Sequence, residues 1–131
     1  MSATPEIRSE VKRVLIVEDD FVIAMDMEGA LAEAGFDVLD VAGNADDAVE
    51  LAGSLRPDIV VMDVRLPGER NGVDAALELF TRFGLRCIFA SGHANETDRQ
   101  RAEAARPHTW LSKPFAMRDL VQSVRRALSE R

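Results

Sequence analysis

Five side chains in this sequence could together handle a phosphoryl group. Glu18 and Asp19 are adjacent carboxylates, Asp63 is a third, Ser91 supplies a hydroxyl and Lys113 an ammonium. Carboxylates brought to one place repel one another, so the set makes sense only where protonation or a cation offsets the charge. A hard divalent ion does this economically: Mg²⁺, or Mn²⁺ in its place, takes oxygen ligands and typically binds one or two carboxylates together with a phosphate. With such an ion on some phosphoryl oxygens, Lys113 and the Ser91 hydroxyl could bind the others. Asp63 would then be left to attack phosphorus and form an aspartyl phosphate. No general base is needed, since an Asp near its ordinary pKa of roughly 4 is ionised at neutral pH.

The chemistry requires these residues to meet, and the elements that precede them are suited to that. Asp63 ends the apolar run Ile59-Val60-Val61-Met62, which lacks alternation and is bounded by Pro57 and by Pro67-Gly68, as expected of a strand buried on both faces of a parallel sheet. Glu18 and Asp19 follow Val14-Leu15-Ile16-Val17, Ser91 follows Cys87-Ile88-Phe89-Ala90, and Lys113 lies just past Thr109-Trp110-Leu111. A further strand is expected over Phe36 to Ala42. Helices alternate with the strands: one from Ile23 to Ala34 stopped by Gly35, one capped by Asn44 with Ala48, Leu51, Ala52 and Leu55 as its stripe, and one from Val73 stopped near Gly84. A fourth lies within Asn95 to Arg106, and Leu120, Val121, Val124 and Leu128 mark the last. The fourth offers mostly alanines as an apolar face, so it is expected to be weakly held, with Arg99, Arg101 and Arg106 on a solvated face.

Alternating strands and helices imply an α/β fold, a doubly wound parallel sheet with right-handed crossovers. The flavodoxin-like (βα)5 order 2-1-3-4-5 fits the 131-residue length and makes strands 1 and 3 neighbours, so that Glu18 and Asp19 face Asp63 at the rim where such sheets bind ligands. One domain is expected over 12–131, after a polar N-terminal extension over 1–11, with no output domain.

Composition excludes several classes. The formal net charge is −7, from 16 Lys and Arg against 23 Asp and Glu, and no basic stripe suits a nucleic-acid backbone. No apolar run approaches the roughly 18 residues needed to span a membrane, and Met1 to Arg13 is too charged for a signal peptide. A cytoplasmic location is expected. The single Cys87, in an apolar stretch, reads as a small core residue, and His93 and His108 lack zinc-ligand spacing.

Glu18-Asp19, Asp63 followed by Leu66-Pro67-Gly68, Ser91-Gly92 and Lys113-Pro114-Phe115 together resemble the receiver domain of two-component response regulators, over about Lys12 to Ala127. The resemblance implies that Asp63 is the phosphoacceptor, Glu18 and Asp19 are metal-binding acids alongside it, and Ser91 and Lys113 bind the phosphoryl group. Trp110 stands at the switch position usually held by Tyr or Phe. Arg65 and His93, each two residues beyond a site residue, stand where this family tunes phosphate lifetime. Phe89-Ala90-Ser91-Gly92 also resembles a Phe-Ala-Thr-Gly subclass of single-domain regulators from alphaproteobacteria, which implies a histidine kinase of the HWE or a related type as phosphodonor. Enzymatic activity is then confined to self-phosphorylation and autodephosphorylation. Output passes to a downstream phosphotransfer or regulatory protein through the face of the fourth helix, fifth strand and last helix, with Gly92 and His93 leading into that helix.

Competing readings fit less well. A phosphatase with an aspartyl intermediate would want a second Asp where Arg65 stands, and a dinucleotide binder would want a Gly-rich loop where Glu18-Asp19-Asp20 stands. Asp20 is suited simply to cap the first helix. The alternative that survives is a receiver-like interaction module that is never phosphorylated.

Overall fold

Val14 to Val17, Ile59 to Met62 and Cys87 to Ala90 have no polar face to offer water, and they form the middle of the sheet. In the computed structural model, which describes residues 11–92 and 94–130, these runs lie within β1 (Arg13–Val17), β3 (Ile59–Met62) and β4 (Cys87–Ser91), and every one of their apolar residues is buried. The expected N-terminal extension lies outside the described residues except for Val11, and His93 lies outside them as well. The half-exposed strands β2 (Asp37–Ala42) and β5 (Thr109–Ser112) take the edges. All pairings are parallel and the order is β2-β1-β3-β4-β5, the flavodoxin-like arrangement expected from the sequence.

Because strand side chains alternate between faces, each central strand feeds two cores. Leu15, Val17, Val60, Met62, Cys87 and Phe89 face α2 (Ala45–Leu55) and α3 (Gly72–Phe83). Val14, Ile16, Ile59, Val61, Ile88 and Ala90 face α1 (Phe21–Glu33) and α5 (Met117–Ser129). The buried face of α2 is Ala45, Ala48, Val49 and Ala52, with Leu51 and Leu55 only half-buried, so Val49 takes the place expected of Leu55.

Local chemistry sets the helix ends. Asp20 accepts hydrogen bonds from the N–H groups of Val22 and Ile23, Asn44 accepts one from Asp47, and Asn71 forms a reciprocal capping box with Asp74. Past α1, Gly35 adopts φ +101°, the left-handed turn foreseen for it. α2 ends in the same way on Arg56, φ +53°, where no glycine announces it; the Arg13 guanidinium donates to the carbonyls of Leu55 (2.7 Å) and Arg56 (2.9 Å). The fourth helix, α4 (Glu96–Ala102), is short and passes into a 3₁₀ turn, Glu103–Ala105, with only Ala102 and Ala105 buried. Arg99, Arg101 and Arg106 are exposed, as expected, and two of them also make contacts from that face: Arg101 pairs with Asp74, and Arg99 lies over Trp110.

Candidate functional site

The strand ends deliver the site. Asp63 follows β3 with its N–H still donating to Val17 of β1 (2.9 Å), and Glu18 follows β1 with its N–H donating to Ala42 of β2 (2.9 Å). The two carboxylates are therefore fixed by backbone pairing rather than by loops. Glu18 is 3% exposed and Asp63 6%, while Asp19 reaches solvent. One carboxylate oxygen from each of Glu18, Asp19 and Asp63 lies within 4.8 Å of the others. Asp20 is absent from this group, because its side chain is spent on capping α1.

Lys113 completes the cluster from the far side of the sheet. Its ammonium donates to Glu18 Oε1 at 2.5 Å and stands 3.4 Å from Asp63 Oδ2. Its N–H donates to the Ser91 carbonyl at 3.0 Å, which ties the residue after β5 to the last residue of β4. Ser91 is buried at 6% exposure beside it. The other Glu18 oxygen accepts from the Asp20 N–H at 3.0 Å, so this buried carboxylate serves both Lys113 and the start of α1.

Burial, and then the nearby Glu18 charge, raise the Asp63 pKa to about 6, against the pull of Lys113 and the Arg65 N–H. The expectation of an Asp near its ordinary value is thus corrected. Burial works against the Lys113 charge, but the Glu18 hydrogen bond and the charges of Asp63 and Glu18 outweigh it, so that its pKa is raised. Cys87 is fully buried and its thiol is pushed up to about 12, which makes it an inert core residue.

Of the other residues singled out, Arg65 is exposed and lines a polar groove with Asp19, Asn71, Asn95 and Asp98 at the mouth of the acid cluster. Gly92 is exposed next to Lys113. His93 lies outside the described residues. Trp110 is half-buried on β5, stacked on Phe89 with centroids 4.4 Å apart and planes inclined by 21°. One residue escaped sequence reasoning: a Cβ on Gly72 would lie 1.8 Å from the Asp63 carbonyl oxygen, so only glycine lets α3 begin this close to Asp63. Its signal was available, an Asn-Gly pair just ahead of the apolar stripe of a helix.

The donor set suits a hard cation. Three carboxylates in reach of one another supply the oxygens Mg²⁺ prefers, and Asp19 keeps the cluster open to water.

Comparison with known proteins agrees with this geometry. The response regulator receiver domain family matches residues 14–125. The transcriptional regulatory protein PdtaR of Mycobacterium tuberculosis is 36% identical over 118 residues, which make up 90% of this chain and 57% of PdtaR. The chain thus spans little more than half the length of that relative. Among solved structures, the signal receiver domain of a modulated diguanylate cyclase from Desulfovibrio desulfuricans G20 superposes with a TM-score of 0.86 at 36% identity, covering 92% of this chain and 96% of that one. A CheY-like receiver domain from Methanospirillum hungatei JF-1 gives 0.85 at 24% identity, over 92% and 96% of the two chains, a likeness of fold alone. Matched along most of its length and carrying an acidic cluster and a lysine at the strand ends, the chain belongs to the response regulator receiver family.

Proposed function

We propose that Asp63 accepts a phosphoryl group from a histidine kinase and that the chain relays this state by protein contact, as a phosphate shuttle, sink or partner-binding regulator. The observation that carries the reading is the meeting of Glu18, Asp19 and Asp63 with Lys113 only 3.4 Å from the Asp63 carboxylate. In the transfer, an Asp63 oxygen forms a bond to phosphorus as the phosphorus–nitrogen bond of the phosphohistidine breaks. Glu18, Asp19 and Asp63 would hold Mg²⁺ or Mn²⁺, which neutralises charge that builds on the phosphoryl oxygens. Lys113 would turn from Glu18 to a phosphoryl oxygen, and the Ser91 hydroxyl would donate to another. Arg65 at the groove mouth, together with His93, governs how readily water reaches the acyl phosphate. Gly92, His93 and Trp110 carry the change outward.

Receiver domains are phosphorylated by histidine kinases; here the stretch Phe89-Ala90-Ser91-Gly92 supports a donor of the HWE or a related type and kinship with the Phe-Ala-Thr-Gly regulators of alphaproteobacteria. The reading involves no catalytic turnover beyond self-phosphorylation and autodephosphorylation. It places the chain in the cytoplasm, where ATP-fed kinases and free Mg²⁺ occur. Among the described residues no helix is long and apolar enough to cross a membrane. Incubation with acetyl phosphate or a phosphorylated kinase should add one labile phosphate, lost in Asp63→Asn and in EDTA. Labelling that persists in Asp63→Asn overturns the assignment, and no labelling at all leaves an unphosphorylated interaction module.

A further inference from the structure

The stretch between Asp63 and α3 leaves the sheet, reverses at Pro67-Gly68, where Gly68 adopts φ +102°, and returns to the acceptor. Both of its ends are tied to Asp63. Gly72 donates to the Val64 carbonyl at 2.8 Å with its Cα close against the Asp63 carbonyl, and the Arg65 N–H donates to Asp63 Oδ1 at 3.4 Å. Val64, Arg65, Leu66, Pro67 and Asn71, all from this loop, form one wall of the polar groove that opens beside Asp19. Movement of the loop therefore changes the opening of that groove and the hydrogen bond to the acceptor carboxylate together.

Little holds the middle of this wall. Pro67, Gly68 and Glu69 are exposed, Leu66 is half-buried against the core shared with α2 and α3, and residues 66–70 make no backbone–backbone hydrogen bond among the described residues. Arg70 supplies the polar anchorage. Its guanidinium donates through Nη1 to Asp46 Oδ1 on α2 at 3.0 Å and through Nη2 to Glu78 Oε1 on α3. Glu78 also accepts from Arg82 at 2.7 Å, and the two guanidiniums lower its pKa, Arg82 first and then Arg70. An isolated surface pair contributes little, but one planar fork that reaches two helices restrains the loop in two directions.

We propose that Arg70 is a positioning residue for Asp63: by pairing with Asp46 and Glu78 it pins the loop after the acceptor to α2 and α3, and so limits the access of water to an aspartyl phosphate. The proposal rests on the reading of Asp63 as phosphoacceptor. In the step concerned, a water oxygen forms a bond to phosphorus as the bond from phosphorus to the Asp63 oxygen breaks. Inorganic phosphate leaves with the protons of that water, and Asp63 is restored as a carboxylate. Arg70 touches none of these atoms and acts only through the loop it holds.

Loss of labelled phosphate tests this on the full chain, loaded with acetyl phosphate and Mg²⁺ and then freed of donor. Arg70→Ala should shorten the phosphate lifetime by about three- to tenfold, the range that two partly screened ion pairs acting together allow. Arg70→Lys, which keeps the charge without the fork, should recover part of it. Asp46→Asn combined with Glu78→Gln should shorten the lifetime as much, and adding Arg70→Ala to that pair should change little further, because the three residues act as a unit. Arg82→Gln removes a pair from the same Glu78 and none from the loop, and should alter the lifetime by less than about twofold. Without phosphodonor, amide exchange at Arg65, Asn71 and Gly72 should quicken in Arg70→Ala while β1 and β4 stay unchanged, which separates a loosened loop from a weakened fold. A wild-type lifetime or unchanged loop exchange in Arg70→Ala would overturn the proposal and leave Asp63 as acceptor; so would additive losses in the triple variant, or an equal loss in Arg82→Gln. If the wild type takes up no phosphate, the acceptor reading fails and the proposal falls with it.

Discussion

Asp63 sits in the fold at an electrostatic disadvantage, and this has a measurable consequence. Its pKa is raised to about 6 from an ordinary 3.8, so between these values the folded chain keeps a proton that the unfolded chain has released. Stability from this group is therefore present at low pH and declines as pH rises through that window. In EDTA, the stability of the wild type relative to Asp63→Asn should fall between about pH 4 and pH 6 and then level off. Urea unfolding of both proteins across that range measures the difference, and a flat difference would show that Asp63 titrates normally. Adding Mg²⁺ at pH 7 should stabilise the wild type and not the variant, because a ligand that binds only the folded state shifts unfolding by mass action. At this scale much of the site was legible. Each of Glu18, Asp63, Ser91 and Lys113 follows an apolar run, and strand ends in parallel sheets converge on one rim. The Asp63 pKa was not legible, because it depends on how deeply the carboxyl is buried and on how near the Glu18 charge lies, neither of which leaves a trace in residue spacing.

Among the elements, α1 carries a feature its sequence pattern conceals. Phe21, Val22 and Met25 are 74%, 68% and 54% exposed on its first turns, next to Asp20 and the acid rim. A groove lined by Ile23, Pro114, Phe115 and Met117, with Asp26 and Lys113 at its sides, adjoins it. Exposed apolar surface gathered beside a site is a candidate contact face, and on the proposed reading a protein phosphodonor would approach Asp63 over this rim. Phe21→Ser combined with Met25→Ser should slow phosphotransfer from a histidine kinase by about tenfold or more, because buried aromatic anchors dominate such contacts. Labelling by acetyl phosphate, which needs no protein contact, should be unchanged. Equal slowing with both donors would locate the defect in the site itself. Sequence periodicity concealed the patch because Ile23, Met27 and Leu31 account for a normal helical stripe and draw attention from the neighbours that flank it. The same limit hid the contacts of Arg99 and Arg101, since charges on a short alanine-rich helix look alike whether or not they are paired.

For the molecule as a whole, the shared strands make the two faces one cooperative unit. Leu79 on α3 and Leu31 on α1 are both fully buried, in separate cores divided by the sheet. Leu79→Ala and Leu31→Ala should each cost about 2–5 kcal/mol, the range for a large-to-small change at a filled site. Trp110 fluorescence reports one face and far-UV circular dichroism reports all the helices. The two should follow a single urea transition in each variant, and separated midpoints would show that the faces unfold independently. Architecture was the most legible level of all. Five apolar runs separated by capped helices admit few arrangements, and Asn44, Gly35 and Gly84 mark boundaries by their own backbone chemistry. At the end of α2 no glycine stands, and Pro57 marked that boundary instead, so that only the left-handed turn on Arg56 was left for the structure to show.

The Glu18–Lys113 pair bears on how the molecule returns to rest. At 2.5 Å from Glu18, the ammonium is already neutralised before any phosphate arrives. On the proposed reading, its move to a phosphoryl oxygen exchanges one anion for another, and loss of the phosphate by hydrolysis lets it return to a partner that never left. The ammonium would face an anion at either end of the cycle, while the buried Glu18 carboxylate it leaves would rest on the bound cation. The chain then keeps no record of a past signal beyond the survival of one acyl phosphate bond, and behaves as a timer whose interval is set by access of water to Asp63.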